Sequence, residues 1–202
     1  MNKNEFKVKK NKLKFESNSR NSILVLNSLL EYIMKAVIQR VNKAFVSVNE
    51  IVIGKIERGI LVYLGVARDD TEKDAEWLAE KIANIRIFND SEGKMNLSLK
   101  DLNEEKKRET PLTQDASNSI GVLAISQFTL LADARKGRRP SWNGAAPPEK
   151  AKQLYEYFIG AIKERGLICE SGEFQAHMMV SYINDGPVTI ILDTSELSLT
   201  RI

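Results

Sequence analysis

The chain has 202 residues, 43 % of them hydrophobic and 28 % charged, the balance of a soluble globular protein with enough apolar mass for one real core. Cys169 is the only cysteine and His177 the only histidine, so an intrachain disulfide and a Cys/His zinc cluster are excluded, and any Ser-His-Asp triad has to use His177. The net charge of +3 is uneven: residues 1–33 hold seven Lys/Arg and three Asp/Glu, and residues 34–202 hold 23 and 24, so nucleic-acid contact by the body needs a local patch.

Residues 1–22 are rich in Lys and Asn and show no steady period; the apolar run Ile23–Leu30 follows. That run is too short to span a bilayer. Glu31-Tyr32-Ile33 stands where a signal peptide would carry its small-residue cleavage site. Residues 1–33 are expected to be an extension outside the fold, with organelle targeting or a functional arm as alternatives. Residues 34–202 are expected to form one domain.

Lys35–Val41 and Ala44–Val48 read as two strands separated by a short turn, followed by strands over Ile51–Ile56 and Gly59–Val66. A helix is predicted from Thr71, because Thr71-Glu72-Lys73-Asp74 is close to a capping box and Leu78, Ile82 and Ile85 share one face. Ser98–Ser119 is polar, mixes charge signs and contains Pro111, so it reads as a solvated loop. Ile120–Ser126 has the pattern of a buried strand.

Pro147-Pro148-Glu149 opens the strongest helical pattern, with proline and an acid in the first turn. Ala151, Leu154, Tyr155, Phe158, Ile159 and Ile162 form its apolar stripe, and Gly166 suits the position just past its end. Strands are expected over Leu167–Glu170, Met178–Ile183 and Val188–Leu192. The predicted fold is α+β: a single domain with a curled or barrel-like, mainly antiparallel sheet and two principal helices.

Two stretches carry candidate chemistry. Asn184-Asp185-Gly186-Pro187-Val188-Thr189 lies between apolar runs. Pro187 cannot donate to a ladder, so the plain reading is a hairpin turn, and the alternative is a rigid backbone device that presents carbonyl and N–H groups to a small ligand. Ser126-Gln127-Phe128-Thr129-Leu130 is followed by Arg135, Lys136, Arg138 and Arg139, four cations in five positions. Alone, that cluster reads as a solvated loop. Beside a catalytic turn it suits the phosphates of an RNA end.

Together with Gln39-Arg40-Val41, Gly59–Gly65 and Gly93-Lys94-Met95-Asn96, these stretches resemble the D-aminoacyl-tRNA deacylases, in the order in which that family has them. The resemblance runs from Met34, which matches the family's usual start, to about Asp193. It implies a cytoplasmic proofreading esterase, a carboxylic ester hydrolase. Such an enzyme frees tRNA from D-amino acids and from glycine mischarged on alanine tRNA, with no cofactor and no metal. It implies tRNA as partner, a two-fold homodimer, and neither membrane nor DNA binding.

Residue by residue, the resemblance assigns catalysis to Ser126, Gln127, Phe128 and Thr129, with Thr129 either the nucleophile or a positional residue. Nothing in the sequence places a base beside it. It assigns chiral selection to Gly186 and Pro187, a cis pair entering the partner's site, with Arg40 holding that loop and Ala145 on the pocket wall. It assigns tRNA contact to Arg135, Lys136, Arg138 and Arg139. His177 stands where Asp is more usual, and Trp142 where Phe is common. A non-catalytic dimeric nucleic-acid-binding module, and a related branch with a trans Gly-Pro and a different stereopreference, are the alternatives.

Overall fold

The computed structural model describes residues 33–109, 120–135 and 137–195. The expectation for residues 1–32, the second half of the predicted 98–119 loop, and Lys136 lie outside the described residues. The elements in chain order are β1 (Lys35–Val48), β2 (Ile51–Ile56), β3 (Gly59–Gly65), α1 (Glu72–Asn84), β4 (Phe88–Asn89), β5 (Met95–Leu97), α2 (Leu99–Glu109), β6 (Gly121–Ser126), α3 (Pro148–Glu164), β7 (Ile168–Ser171) and β8 (Met179–Asp193).

The long strand β1 organises the sheet. One of its edges pairs antiparallel with β3 over 35–41 and with β2 over 44–48; the other pairs antiparallel with β8 almost throughout. The remaining pairs, β3 with β6 and β6 with β7, are parallel. The sheet order is therefore β2-β1-β3-β6-β7, with β8 also on β1. It curls until its ends nearly meet: a Cβ built on Gly54 of β2 would lie 2.7 Å from the Ser171 carbonyl oxygen of β7. Only a residue without a side chain permits that approach. The result is a nearly closed mixed barrel with three helices among the described residues.

Two cores follow from the period-two pleat. Ala36 and Ile38 of β1, with Ile60, Val62 and Leu64 of β3, face α1 and α3, where Leu78, Ile82, Leu154 and Phe158 meet them. Val41, Val46, Ile56, Leu61, Leu123 and Ile125 fill the inside of the curl. β3 is buried on both faces, which is why its sequence is nearly continuous in apolar residues. Among the described residues no helix is long and apolar enough to cross a membrane.

The N-terminal edge is clipped by one carboxylate. Asp70 is buried and accepts the Met34 N–H at 2.9 Å and the Ala67 N–H at 2.5 Å. Burial pushes its pKa up to about 7, against the opposing pull of those two donors and of Lys150.

The predicted Thr71 start is observed: the Asp74 carboxylate accepts from the Thr71 N–H at 2.8 Å and from its hydroxyl at 2.7 Å. Gly166 follows α3 with φ +72°, the left-handed conformation that ends helices. Three expectations need correction. Residues 99–109 are a helix, not a solvated loop. The Asp101 carboxylate accepts from the Ser98 N–H and hydroxyl at 2.8 and 2.6 Å, and Leu99 and Leu102 are buried; the charged remainder is the helix's wet face. Asn42-Lys43 is not a turn between two strands, because β8 pairs across it and keeps β1 in one piece, with an irregular register there. Asn184–Thr189 is not a hairpin turn: both flanking runs belong to β8 and pair with the same strand.

Candidate active site

β6 ends at Ser126 beside the end of β3, and the Gln127 N–H reaches back to the Leu64 carbonyl at 2.7 Å. The chain then tightens into a 3-10 turn, Phe128–Leu131. Its first closing bond runs from the Leu130 N–H to the Gln127 carbonyl at 3.2 Å. The Phe128 and Thr129 N–H groups precede that bond, so the turn itself cannot use them. Two consecutive donors at the end of a buried strand are a ready electrostatic site for a developing oxyanion.

Beside this turn lies an open-mouthed cavity of about 560 Å³. Ser126, Gln127 and Phe128 line one side, Ala145 and Ala146 another, and Phe174, Gln175, Ala176, His177 and Met178 a third. Leu64, Val66, Ile125 and Tyr155 make its base. The floor is rigid. The Tyr155 hydroxyl donates to the Ala124 carbonyl at 2.8 Å, its ring lies 6.2 Å from that of Phe174, and burial raises its acidity threshold. Ala145 is held on the wall by its N–H bond to Trp142 at 3.0 Å and by a bridge to Ala67.

Thr129 stands outside this lining. It is exposed, and its hydroxyl accepts a short bond from the Gln127 side-chain amide. Among the described residues no titratable side chain bonds to it. Cys169 offers no substitute nucleophile: it is buried, and burial pushes its thiol up to about 12. The cavity therefore combines apolar walls with the Ser126 hydroxyl and the Gln127 and Gln175 amides, with His177 as its only imidazole. No group of His, Cys, Asp and Glu that could hold a metal occurs among the described residues.

The Gly186-Pro187 segment lies elsewhere. In the β1–β8 ladder Gln39 faces Thr189 and Val41 faces Asn184, so the four residues 185–188 stand opposite Arg40 alone. Arg40 is 7 % exposed and braces this bulge. Its Nε lies 3.0 Å from the Asp185 carboxylate and donates to the Asp185 carbonyl at 3.2 Å. Its Nη1 donates to the Ile87 carbonyl at 2.6 Å and to Asn89 Oδ1 at 3.2 Å. The Asn184 amide spans the base, donating to the Arg40 and Val188 carbonyls at 3.0 and 3.2 Å. The Gly186–Pro187 bond is cis, and Gly186 has φ +126°. A Cβ there would press on Val188 at 2.8 Å and on Arg40 at 3.1 Å. Both residues are exposed, and neither lines the cavity of its own chain.

The cation loop is closed at its base by Asp133 and Ser141, which exchange N–H···O bonds of 2.9 and 2.8 Å. Arg135 turns inward to Asp133, with contacts of 2.9 and 2.8 Å. Arg138 and Arg139 are exposed at the tip. Sequence reasoning missed Tyr155 and Phe174 as cavity-lining residues: the first is indistinguishable from an ordinary helix-stripe residue, and the second sits in a segment with no periodic signal.

The family model for D-Tyr-tRNA(Tyr) deacylase matches residues 37–193. A D-aminoacyl-tRNA deacylase of Thermotoga petrophila is 52 % identical over 164 residues, 81 % of this chain and 99 % of that protein. One of Geotalea uraniireducens is 55 % identical over 161 residues, 80 % of this chain and 94 % of that protein. Among solved structures, one titled c-Myc DNA Unwinding Element Binding Protein aligns with TM-score 0.66 and 37 % identity, covering 78 % of this chain and 97 % of that one. A probable eukaryotic D-amino acid tRNA deacylase shares the fold at TM-score 0.62 and 18 % identity, over 79 % and 98 % of the two chains.

Proposed function

The chain belongs to the D-Tyr-tRNA(Tyr) deacylase family, and from that premise we propose that it hydrolyses the ester of D-aminoacyl-tRNA, and of glycyl-tRNA, to free amino acid and tRNA. The observation that carries this reading is the apolar cavity lined by Ser126, Gln127 and Phe128, at the start of a 3-10 turn that leaves the Phe128 and Thr129 N–H groups unused by its own bonds. An aminoacyl ester needs little activation, and a neighbouring ribose hydroxyl can assist the attack. Positioning plus two backbone donors is a sufficient kind of catalyst. In this reading Ser126, Gln127 and Phe128 hold the ester, and Thr129 orients the Gln127 amide.

Chiral selection is assigned to Gly186 and Pro187 of a second copy. The support is their placement: an exposed, braced bulge away from its own cavity. Exposed Met179, Tyr182, Ile183 and Ile191 lie on the same strand. A two-fold dimer would seat each bulge at its partner's pocket mouth, where its carbonyls crowd an L side chain. Glycine has no side chain and passes. Arg138 and Arg139 contact the acceptor-end phosphates. Residues 1–33 lie outside the catalytic unit, a reading supported by a family match over residues 37–193 and by a relative that aligns over 99 % of its own length with 81 % of this chain.

The test is single-turnover hydrolysis of matched D-, L- and glycyl-tRNA by the full chain and by a truncation starting at Met34, with light scattering for oligomeric state. Fast cleavage of the D and glycyl substrates, slow cleavage of the L substrate and a dimer are expected. A monomer that still rejects the L substrate removes the cross-subunit bulge. The likeness to a solved structure titled c-Myc DNA Unwinding Element Binding Protein favours a second reading, nucleic-acid binding without hydrolysis. The same assay separates the two.

A further inference from the structure

The mouth of the cavity carries two large rings in water. Phe128 is 58 % exposed and Trp142 41 %. Their centroids lie 5.7 Å apart at 64°, edge to face. Phe128 lines the cavity; Trp142 does not, and it follows the base of the loop that holds Arg138 and Arg139 at its tip. The pair therefore lies between a pocket suited to an aminoacyl ester and a tip suited to phosphates. A T-shaped pair steadies each ring while leaving aromatic surface open.

We propose that Trp142, backed by Phe128, is a stacking platform for an unpaired nucleobase of the tRNA acceptor end. The inference rests on the reading of the substrate as charged tRNA and adds where its single-stranded tail runs. Once the 3′ ester sits in the cavity, the preceding nucleotides leave by the mouth towards the cations. Single-stranded bases are commonly held by aromatic faces, and such stacking tolerates any base. Indole offers the widest face, so Trp142 suits this task better than a smaller ring. The platform acts on binding; the backbone donors of the 3-10 turn act on the ester.

The chain has two tryptophans, and Trp77, packed partly buried against the helix-side core, is the other. Trp77→Phe makes Trp142 the sole tryptophan, which is excited selectively beyond the tyrosine absorption band. The probes are an RNA minihelix with an unpaired 3′ tail and the same minihelix without it. Saturable quenching of Trp142 by the tailed helix, absent with the blunt one, is expected. Trp142→Leu should weaken tailed-helix binding about tenfold, with the kinetic loss on D-aminoacyl-tRNA falling on KM, and Trp142→Phe should restore most of it. The salt slope of binding should be unchanged in Trp142→Leu and flattened in Arg138→Ala/Arg139→Ala.

Equal quenching by both helices, or Trp142→Leu with the parent's affinity and KM, overturns the platform. So does Trp142 emission shielded from acrylamide in the free protein, which would mean that a second copy covers the pair. Failure of the parent to hydrolyse D-aminoacyl-tRNA overturns the substrate reading and the platform together. Hydrolysis with an unmoved KM in Trp142→Leu overturns the platform alone.

Discussion

The turn after β6 and the bulge in β8 both arise where a strand is interrupted, yet they are built in opposite ways. The turn is concave. It tightens immediately after a buried strand end, leaves two N–H groups without a partner inside the turn, and looks into an apolar cavity. The bulge is convex. Gly186 and Pro187 are exposed at its crest, Arg40 and Asn184 brace it through hydrogen bonds, and Val188 packs back against the helix-side core. A pocket can be organised by backbone alone, because the surrounding core defines its walls. A projection has no surrounding core and needs a buried cation to hold its shape.

That contrast predicts different failures. Arg40→Leu should have the largest effect, because it leaves the Asp185 carboxylate and the Ile87 carbonyl without their donor. A stability loss of about 2–4 kcal/mol is expected by denaturant titration. In the surviving folded fraction, discrimination against L-aminoacyl-tRNA should relax while glycyl-tRNA cleavage persists. An Arg40→Leu enzyme that keeps full D-over-L selectivity would show that the bulge needs no brace, or does not select.

Ala145→Leu attacks the pocket instead. Three added carbons on the wall should displace the substrate and lower kcat/KM about a hundredfold, equivalent to about 2.7 kcal/mol. Melting should change little, because the side chain grows into open cavity. Equal losses for D-aminoacyl-tRNA and glycyl-tRNA mark a blocked pocket, whereas loss of the D substrate alone would place Ala145 beside the amino acid side chain only.

Tyr155→Phe tests the floor. The Ala124 carbonyl also accepts the Gly172 N–H at 3.0 Å, so it keeps a partner, and a loss of about 1 kcal/mol is expected by thermal melting. A loss above about 3 kcal/mol would mean that the hydroxyl anchors more than one bond. Thr129→Ala should do least, a fall in single-turnover rate of under about tenfold, because only the Gln127 amide loses its acceptor. A drop of several orders of magnitude would make Thr129 a chemical participant and overturn its place outside the site.

The order of motifs, both principal helices and most strands were legible because each rests on local chemistry. Thr71 and Asp74 cap one helix, Pro148 and Glu149 open another, and β3 is apolar throughout. The helix at 99–109 was missed because its charge pattern outweighed a short signal, Ser98 with Asp101 and two leucines. Phe174, Met178 and Tyr155 could not be assigned to the pocket, since a core residue and a wall residue have the same composition until the fold opens a cavity beside one of them.

By itself, then, the chain's sequence determined its elements, its α+β class and which short stretches carry backbone chemistry, because propensity, capping and turn preference act over a few residues. Tertiary structure decided the rest. It joined 35–41 to 44–48 and carried β8 through its Gly-Pro interruption, because pairing with a single long neighbour outweighs a local break. It made Arg40 a buried brace and not a surface charge, because the Ile87 and Asp185 carbonyls that receive it are 47 and 145 residues away in the chain. It kept Thr129 out of the cavity that its neighbours line, because a 3-10 turn rotates successive side chains by about a third of a circle, and only packing decides which of them faces inward.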